Sequence, residues 1–344
     1  MDLTTRILKP WRRRLYVSPL VVLLLLLPSL TNPYQILLLS YGLIMAIAAL
    51  GFNLLLGYTG LLSFGHSAYF GVGAYTVAFM VKYLHIRSME LFVLGGLLAT
   101  VLITALFGAI CVRYTRIFFS ILTMALSQVL WSLAYKFFWV TGGTDGLRVP
   151  TPSLVGGLVD AAALPYGGKI VAYYYYVLVF FFLSVALMWV IVHSPFGKAL
   201  QAIRDNETRA AFVGVPVQRY RWQAFLVSGL FTGLAGILWV PLNGLTTPDI
   251  LVWTFSGRIV FFTVLGGFKS FVGPILGAVL FNYLETYAIS TTVYWQVVLG
   301  VVLVVLVLVM PTGLIGLLSR LALAARRATS RESATDRAVT KILW

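Results

Sequence analysis

The sequence predicts an all-α, polytopic integral membrane protein with about ten transmembrane helices and both termini on the cytoplasmic side. Three observations carry that reading. Of the 344 residues, 60% are hydrophobic and only 10% are charged. Runs such as VLVFFFLSVALMWVIV, residues 177–192, have no polar face to turn toward water, so lipid is their solvent. The formal net charge is +15, yet the basic residues gather at the ends of apolar runs and in both tails. Membrane topology explains that distribution, and nucleic-acid binding does not.

The first apolar run, 16–30, follows RILKPWRRR, which looks like the basic region of a secretory signal. No A-x-A-like cleavage site comes after it, so it is read as an uncleaved first span behind a basic cytoplasmic tail, 1–15. A ruler of about 20 helical residues per crossing marks further spans at 34–56, 64–84, 91–112, 117–139, 170–192, 222–241, 250–267, 270–289 and 292–310. Together they make a transmembrane permease domain over 16–317. With the N-terminus inside, most of the 25 Lys and Arg fall on inner segments, which fixes the orientation. The polar, basic stretch 318–344 has too little apolar surface to bury and is expected to be a disordered cytoplasmic tail.

Two connections are long. The external loop, 141–169, is rich in Gly and Pro and is expected to be ordered, by itself or by a partner. The cytoplasmic loop, 193–221, has different chemistry. Ser194 and Pro195 suit a helix cap and first turn, Phe196, Ala199, Leu200 and Ile203 share one helical face, and Gly214 and Pro216 stop the helix. This spacing predicts a short amphipathic helix.

Glycine marks the places where helices approach or break. Gly229-xxx-Gly233 with Gly236, and Gly273-xxx-Gly277, suit close helix packing in lipid. In GLLSFGHSAYFGVGAY, residues 60–75, the glycines come with Ser63, His66 and Ser67. That mixture predicts a broken helix beside a polar path, whose backbone groups hold a charged substrate end. Asn53, Ser63, Gly65, His66 and Ser67 are therefore path candidates, with Thr123, Ser127 and Gln128 as a facing set; interhelical hydrogen bonding is the plainer role for the amides and hydroxyls. His66 has two readings: a path-lining group that senses protonation, or a histidine satisfied by backbone carbonyls at a helix start. Glu285 is costly in a span unless it is paired, protonated or near water, and snorkelling is one escape. Simple hairpin counting leaves Arg258 several residues out of register with it. A faint echo between the glycine-rich turns at 57–73 and 265–278 is compatible with two parallel repeats, without a fixed spacing.

No nucleotide-cradling G-x-x-x-x-G-K-[ST], no H-E-x-x-H, no G-x-S-x-G and no clustered His and carboxylates occur, so no catalytic residues, metal or cofactor are expected. The single Cys111 excludes an internal disulfide.

Five blocks in order, NLLLGYTGLLSFGHSAYFGVGAYT (53–76), RYTRIFFSILTMALSQ (113–128), TGGTDGL (141–147), SPFGKALQAIRDNETRAAFVGV (194–215) and SGRIVFFTVLGGFKSFVGPILGA (256–278), resemble the branched-chain amino-acid ABC-transporter permeases of the LivM type. The resemblance implies an importer subunit in the inner membrane of a prokaryote. It implies as partners a second, similar permease, two cytoplasmic ATP-binding subunits that hold the ATP, and an external binding protein. It also makes the inner loop the coupling segment: ETRAAFVG, residues 207–214, is similar to an E-A-A-x-x-x-G loop, although its first alanine position differs. Phe196, Leu200, Ile203, Arg204, Glu207 and Gly214 are the expected ATPase contact. The competing readings are a related importer of urea or a short amide, and an ion-coupled secondary transporter. The last normally needs ionisable groups at the midplane, in which this chain is poor.

Overall fold

The computed structural model describes residues 21–157, 164–309 and 313–317. Both tails, and the rest of the external loop, lie outside the described residues. A helix runs through every stretch expected to cross: α1 (Val21–Leu30), α2 (Pro33–Asn53), α3 (His66–Leu84), α4 (Met89–Cys111), α5 (Arg116–Lys136), α6 (Tyr166–His193), then, past the short helices α7 (Pro195–Asp205) and α8 (Glu207–Phe212), α9 (Val217–Asn243), α10 (Trp253–Gly266), α11 (Gly273–Thr291) and α12 (Trp295–Val309). Among the described residues, five helices are by length and composition long and apolar enough to cross a membrane: α2 with the turn that extends it, α4, α5, α6 and α9.

The core is built around α2. Nearly every residue from Ile36 to Asn53 is buried, because α6, α9, α10 and α11 pack around it. The outer helices show the opposite pattern: Leu98, Leu102, Ile117 and Phe118 are more than half exposed, as lipid-facing side chains are.

The glycines answer for the packing. A Cβ on Gly236 would stand 2.0 Å from the Phe70 carbonyl oxygen, and one on Gly73 2.3 Å from that of Gly233, so α3 and α9 touch backbone to backbone. Along the same stripe of α9, Gly229 and Gly233 take the side chains of Thr104 and Thr100 of α4. Gly277 lies equally close to the Phe262 carbonyl and locks α10 onto α11. Helix packing is therefore the use of these motifs, since lipid gives helices no hydrophobic drive to associate and close contact supplies it.

Two chain breaks depart from regular crossing. After Asn53 the ladder of α2 widens into a π turn, Leu54–Thr59, which ends at Gly60 in the left-handed region; residues 60–65 are non-helical and α3 starts at His66. The second break corrects the expected span 250–267. Pro248–Leu251 is a 3-10 turn in which Leu251 packs against Gly71 of α3, and the helix begins only at Trp253. At 14 residues, α10 is about 21 Å long, short of a hydrocarbon core of about 30 Å.

At the end of the bundle away from α7, the external loop is ordered over its described part. The antiparallel strands β1 (Leu147–Arg148) and β2 (Leu245–Thr246) pair, and Ser88 bridges to Ser153. Glu90 accepts from Ser88 Oγ (2.6 Å) and from the Gly156 amide (3.0 Å).

Candidate functional site

The break between α2 and α3 is held from three sides. Phe64 N donates to Thr123 Oγ1 (3.2 Å) and Ser120 Oγ donates to the Leu62 carbonyl (2.6 Å), so α5 satisfies a strand of backbone that no helix ladder supports. Gly65 lies against Thr123, where a Cβ would come 2.7 Å from its carbonyl oxygen. On the far side, Ser256 Oγ of α10 accepts from Ser67 N (2.8 Å) and donates to Ser67 Oγ (2.9 Å). Non-helical backbone at membrane depth survives only with such partners.

His66 lies deepest. It is fully buried, and its Nε2 stands 2.8 Å from Ser228 Oγ, which itself donates to the Gly51 carbonyl (2.6 Å). Because the serine proton goes to Gly51, the imidazole Nε2 carries the proton of the first bond. Phe52 and Tyr69 cover the ring edge to face, with centroids 4.9 and 5.8 Å away. His66 thus pins α3 to α9 and α2 together.

Of the path candidates, Ser63, Gly65, Ser67 and Thr123 are brought together around the break. Asn53 lies at the π turn, where its Nδ2 reaches the Ser270 carbonyl (3.5 Å) between α10 and α11. Ser127 bonds its own helix, to Met124 O (2.8 Å), and Gln128 Nε2 has no hydrogen-bond partner among the described residues. Asn53 and Ser270 also bring the two glycine-rich turns into contact: a Cβ on Gly57 would meet both Asn53 Oδ1 and the Phe268 carbonyl at 2.4 Å.

The expected amphipathic helix of the inner loop is two helices. Ser194 caps α7 as its sequence suggests, accepting from Gly197 N (3.4 Å). Asn206 then interrupts it and caps α8, its Oδ1 accepting from Arg209 N (2.9 Å). The apolar face of α7 turns into the protein: Leu200 and Ile203 are buried and Phe196 stacks on Tyr220, with centroids 5.6 Å apart. Glu207 receives both Arg221 terminal nitrogens, at 2.8 and 2.7 Å, which fastens α8 to the start of α9. Arg204 donates to the Gly57 carbonyl, while its stem lies against Gly60. Leu200 and Ile203 are thus buried within the chain, Arg204 and Glu207 bond within it while remaining exposed, and the large apolar side chains left outward are Phe212 (87% exposed) and Val213 (79% exposed), next to the exposed Gly214. Gly214 has φ +91°, a conformation that favours glycine.

Arg258 and Glu285, out of register by simple counting, form an ion pair. Gly277 set against Phe262 fixes the actual register of α10 and α11, and the long arginine stem covers the remaining offset. Glu285 is buried by this pairing and does not snorkel.

A glycine-locked helical bundle with two broken helices and an apolar tip on a polar-capped inner loop defines a multi-pass membrane permease. The chain belongs to the family of branched-chain amino acid transport system permease components, whose model matches residues 35–307. It is 25% identical to the high-affinity branched-chain amino acid transport system permease protein LivM of Escherichia coli (strain K12), over 88% of this chain and 75% of that one. It is also 25% identical to the LivH permease of Salmonella typhimurium, over 79% of this chain and 91% of that one, and 29% identical to the L-arabinose ABC transporter permease AraH of Azospirillum brasilense, over 71% and 67%. No solved structure matches the chain significantly. The protein is thus a transport subunit of the ABC permease type, not an enzyme.

Proposed function

We propose that this chain is one of two similar permease subunits of an ABC importer for branched-chain or related hydrophobic amino acids, in the inner membrane of a prokaryote. Cytoplasmic partner subunits bind and hydrolyse the ATP, and an external binding protein delivers the amino acid. The similarity to proteins named LivM and LivH supports this substrate class and a two-permease assembly.

The observation that carries the mechanism is the bond from Arg204 to Gly57. A π turn leaves carbonyls without their helical partner, and here one of them is held by the short helix α7. A push on the outward tip at Phe212 and Val213 travels through the Glu207–Arg221 pair and through α7 to the break at 60–65, whose partners are a few hydroxyls on α5 and α10. Those bonds are few enough to exchange between two arrangements, as an alternating path requires. The Lys and Arg bias supports a cytoplasmic position for this end of the bundle.

The test is purification from native membranes followed by uptake into vesicles. The reading expects an ATP-binding subunit and a second permease to co-purify, and labelled leucine uptake to be blocked by isoleucine and valine but not by urea or L-arabinose. Uptake that follows urea or arabinose instead replaces the substrate class, and uptake without any ATPase removes the importer.

A further inference from the structure

The helices α10, α11 and α12 line a half-open cavity of about 350 Å³ beside the N-terminus of α10. Its polar lining includes Asp249, Arg258, Glu285 and Gln296, and its apolar lining includes Phe255 and Leu299. Arg258 pairs with Glu285, yet unevenly: the Glu285 side chain is 6% exposed and that of Arg258 is 41% exposed. Arg258 Nε has no hydrogen-bond partner among the described residues.

Depth makes this asymmetry informative. Ser256, two residues before Arg258, is bonded to Ser67 beside the fully buried His66, so Arg258 stands at nearly the same level along the bundle, on another side of α10. A guanidinium is not left open to hydrocarbon at such a level; it faces a water-filled cavity or a bound group. Arginine offers five donors, and one carboxylate does not use them all. With the positive end of the α10 dipole close by, the unused donors favour a carboxylate. Asp249, exposed and on the same lining, supplies the opposite charge.

We propose that this cavity is a station for the zwitterionic head group of a free α-amino acid, with its carboxylate on Arg258, its ammonium group between Asp249 and Glu285, and its side chain among Phe255 and Leu299. The proposal rests on the amino-acid reading above and adds where in this chain both charges are read. A neutral urea or a sugar has no use for the paired charges.

The test uses the chain purified with its partner subunits in lipid nanodiscs, with labelled L-leucine as probe and leucinamide and 4-methylpentanoate as competitors that lack the carboxylate charge and the ammonium group. Wild type is expected to prefer leucine to either competitor by about tenfold or more. Arg258→Gln abolishes the preference over leucinamide, and Asp249→Asn narrows that over 4-methylpentanoate. Should Arg258→Gln fail to fold, Arg258→Met with Glu285→Met removes both charges at similar volume and is expected to fold and to raise the KM for leucine uptake about tenfold or more. Wild-type KM and selectivity in that double variant, at wild-type thermal stability, would leave only a structural ion pair and overturn the proposal. Absence of amino-acid uptake by the complete wild-type assembly would instead remove the reading on which it rests.

Discussion

The Arg204 guanidinium on α7 donates to the Gly57 carbonyl in the π turn that ends α2. This bond joins the inner loop to the broken segment directly, with no intervening side chain. Replacing Arg204 by Met removes a charged hydrogen bond worth about 1.5–3 kcal/mol while keeping the stem against Gly60. The expected result is uncoupling: ATPase activity of the reconstituted assembly stays within about twofold of wild type while leucine uptake falls about tenfold or more. Equal losses of both activities would show the bond to be merely structural.

Phe212 and Val213 are the apolar residues that the inner loop leaves open. Because neither packs within the chain, Phe212→Asp is expected to leave the melting temperature of the isolated permease within about 2 °C of wild type while reducing co-purification of the ATPase. Leu200→Ala has the opposite signature. It empties a fully buried site, costs about 2–5 kcal/mol, and shows as lowered stability before any assembly defect.

Gly236 and Gly257 make a matched pair for thermal-stability measurements. A Cβ at Gly236 would meet the Phe70 carbonyl at 2.0 Å, whereas nothing lies within 4 Å of one at Gly257. Gly236→Ala is expected to force α3 and α9 apart at a cost of about 1–3 kcal/mol. Gly257→Ala is expected to be neutral or stabilising by up to about 1 kcal/mol.

His66 donates to a serine that already serves the Gly51 carbonyl, in a fully buried position. A packing role predicts that His66→Gln lowers the melting temperature but leaves the shape of the uptake profile between about pH 5 and 8 unchanged. A profile that loses an inflection in the variant would restore the proton-sensing role.

Much of the fold was legible because lipid imposes a simple rule on sequence: helices lie where apolar runs are long enough, and glycine lies where backbones meet. The runs place a helix in each expected stretch, and Gly236 and Gly277 sit at the contacts their spacing suggests. The rule fails where burial and membrane depth use the same letters. Leu200 and Ile203 read as a docking face because an apolar stripe does not say whether it meets a partner or its own chain. The stretch from Ile250 to Val252 read as the start of a crossing because it is apolar, although Pro248–Leu251 turns inside the bundle before α10 begins. Serines such as Ser228 and Ser256 carried no signal, since a hydroxyl that bonds a neighbouring helix looks the same in sequence as one that bonds its own.

The enclosure of α2 bears on biosynthesis. It leaves the ribosome before the four helices that come to surround it, α6, α9, α10 and α11, so it must first be content among acyl chains and only afterwards exchange them for protein. Its polar side chains suit that sequence of events: Ser40 closes on the Ile36 carbonyl of its own helix (2.8 Å), while Asn53, which needs a later neighbour, sits at the very end.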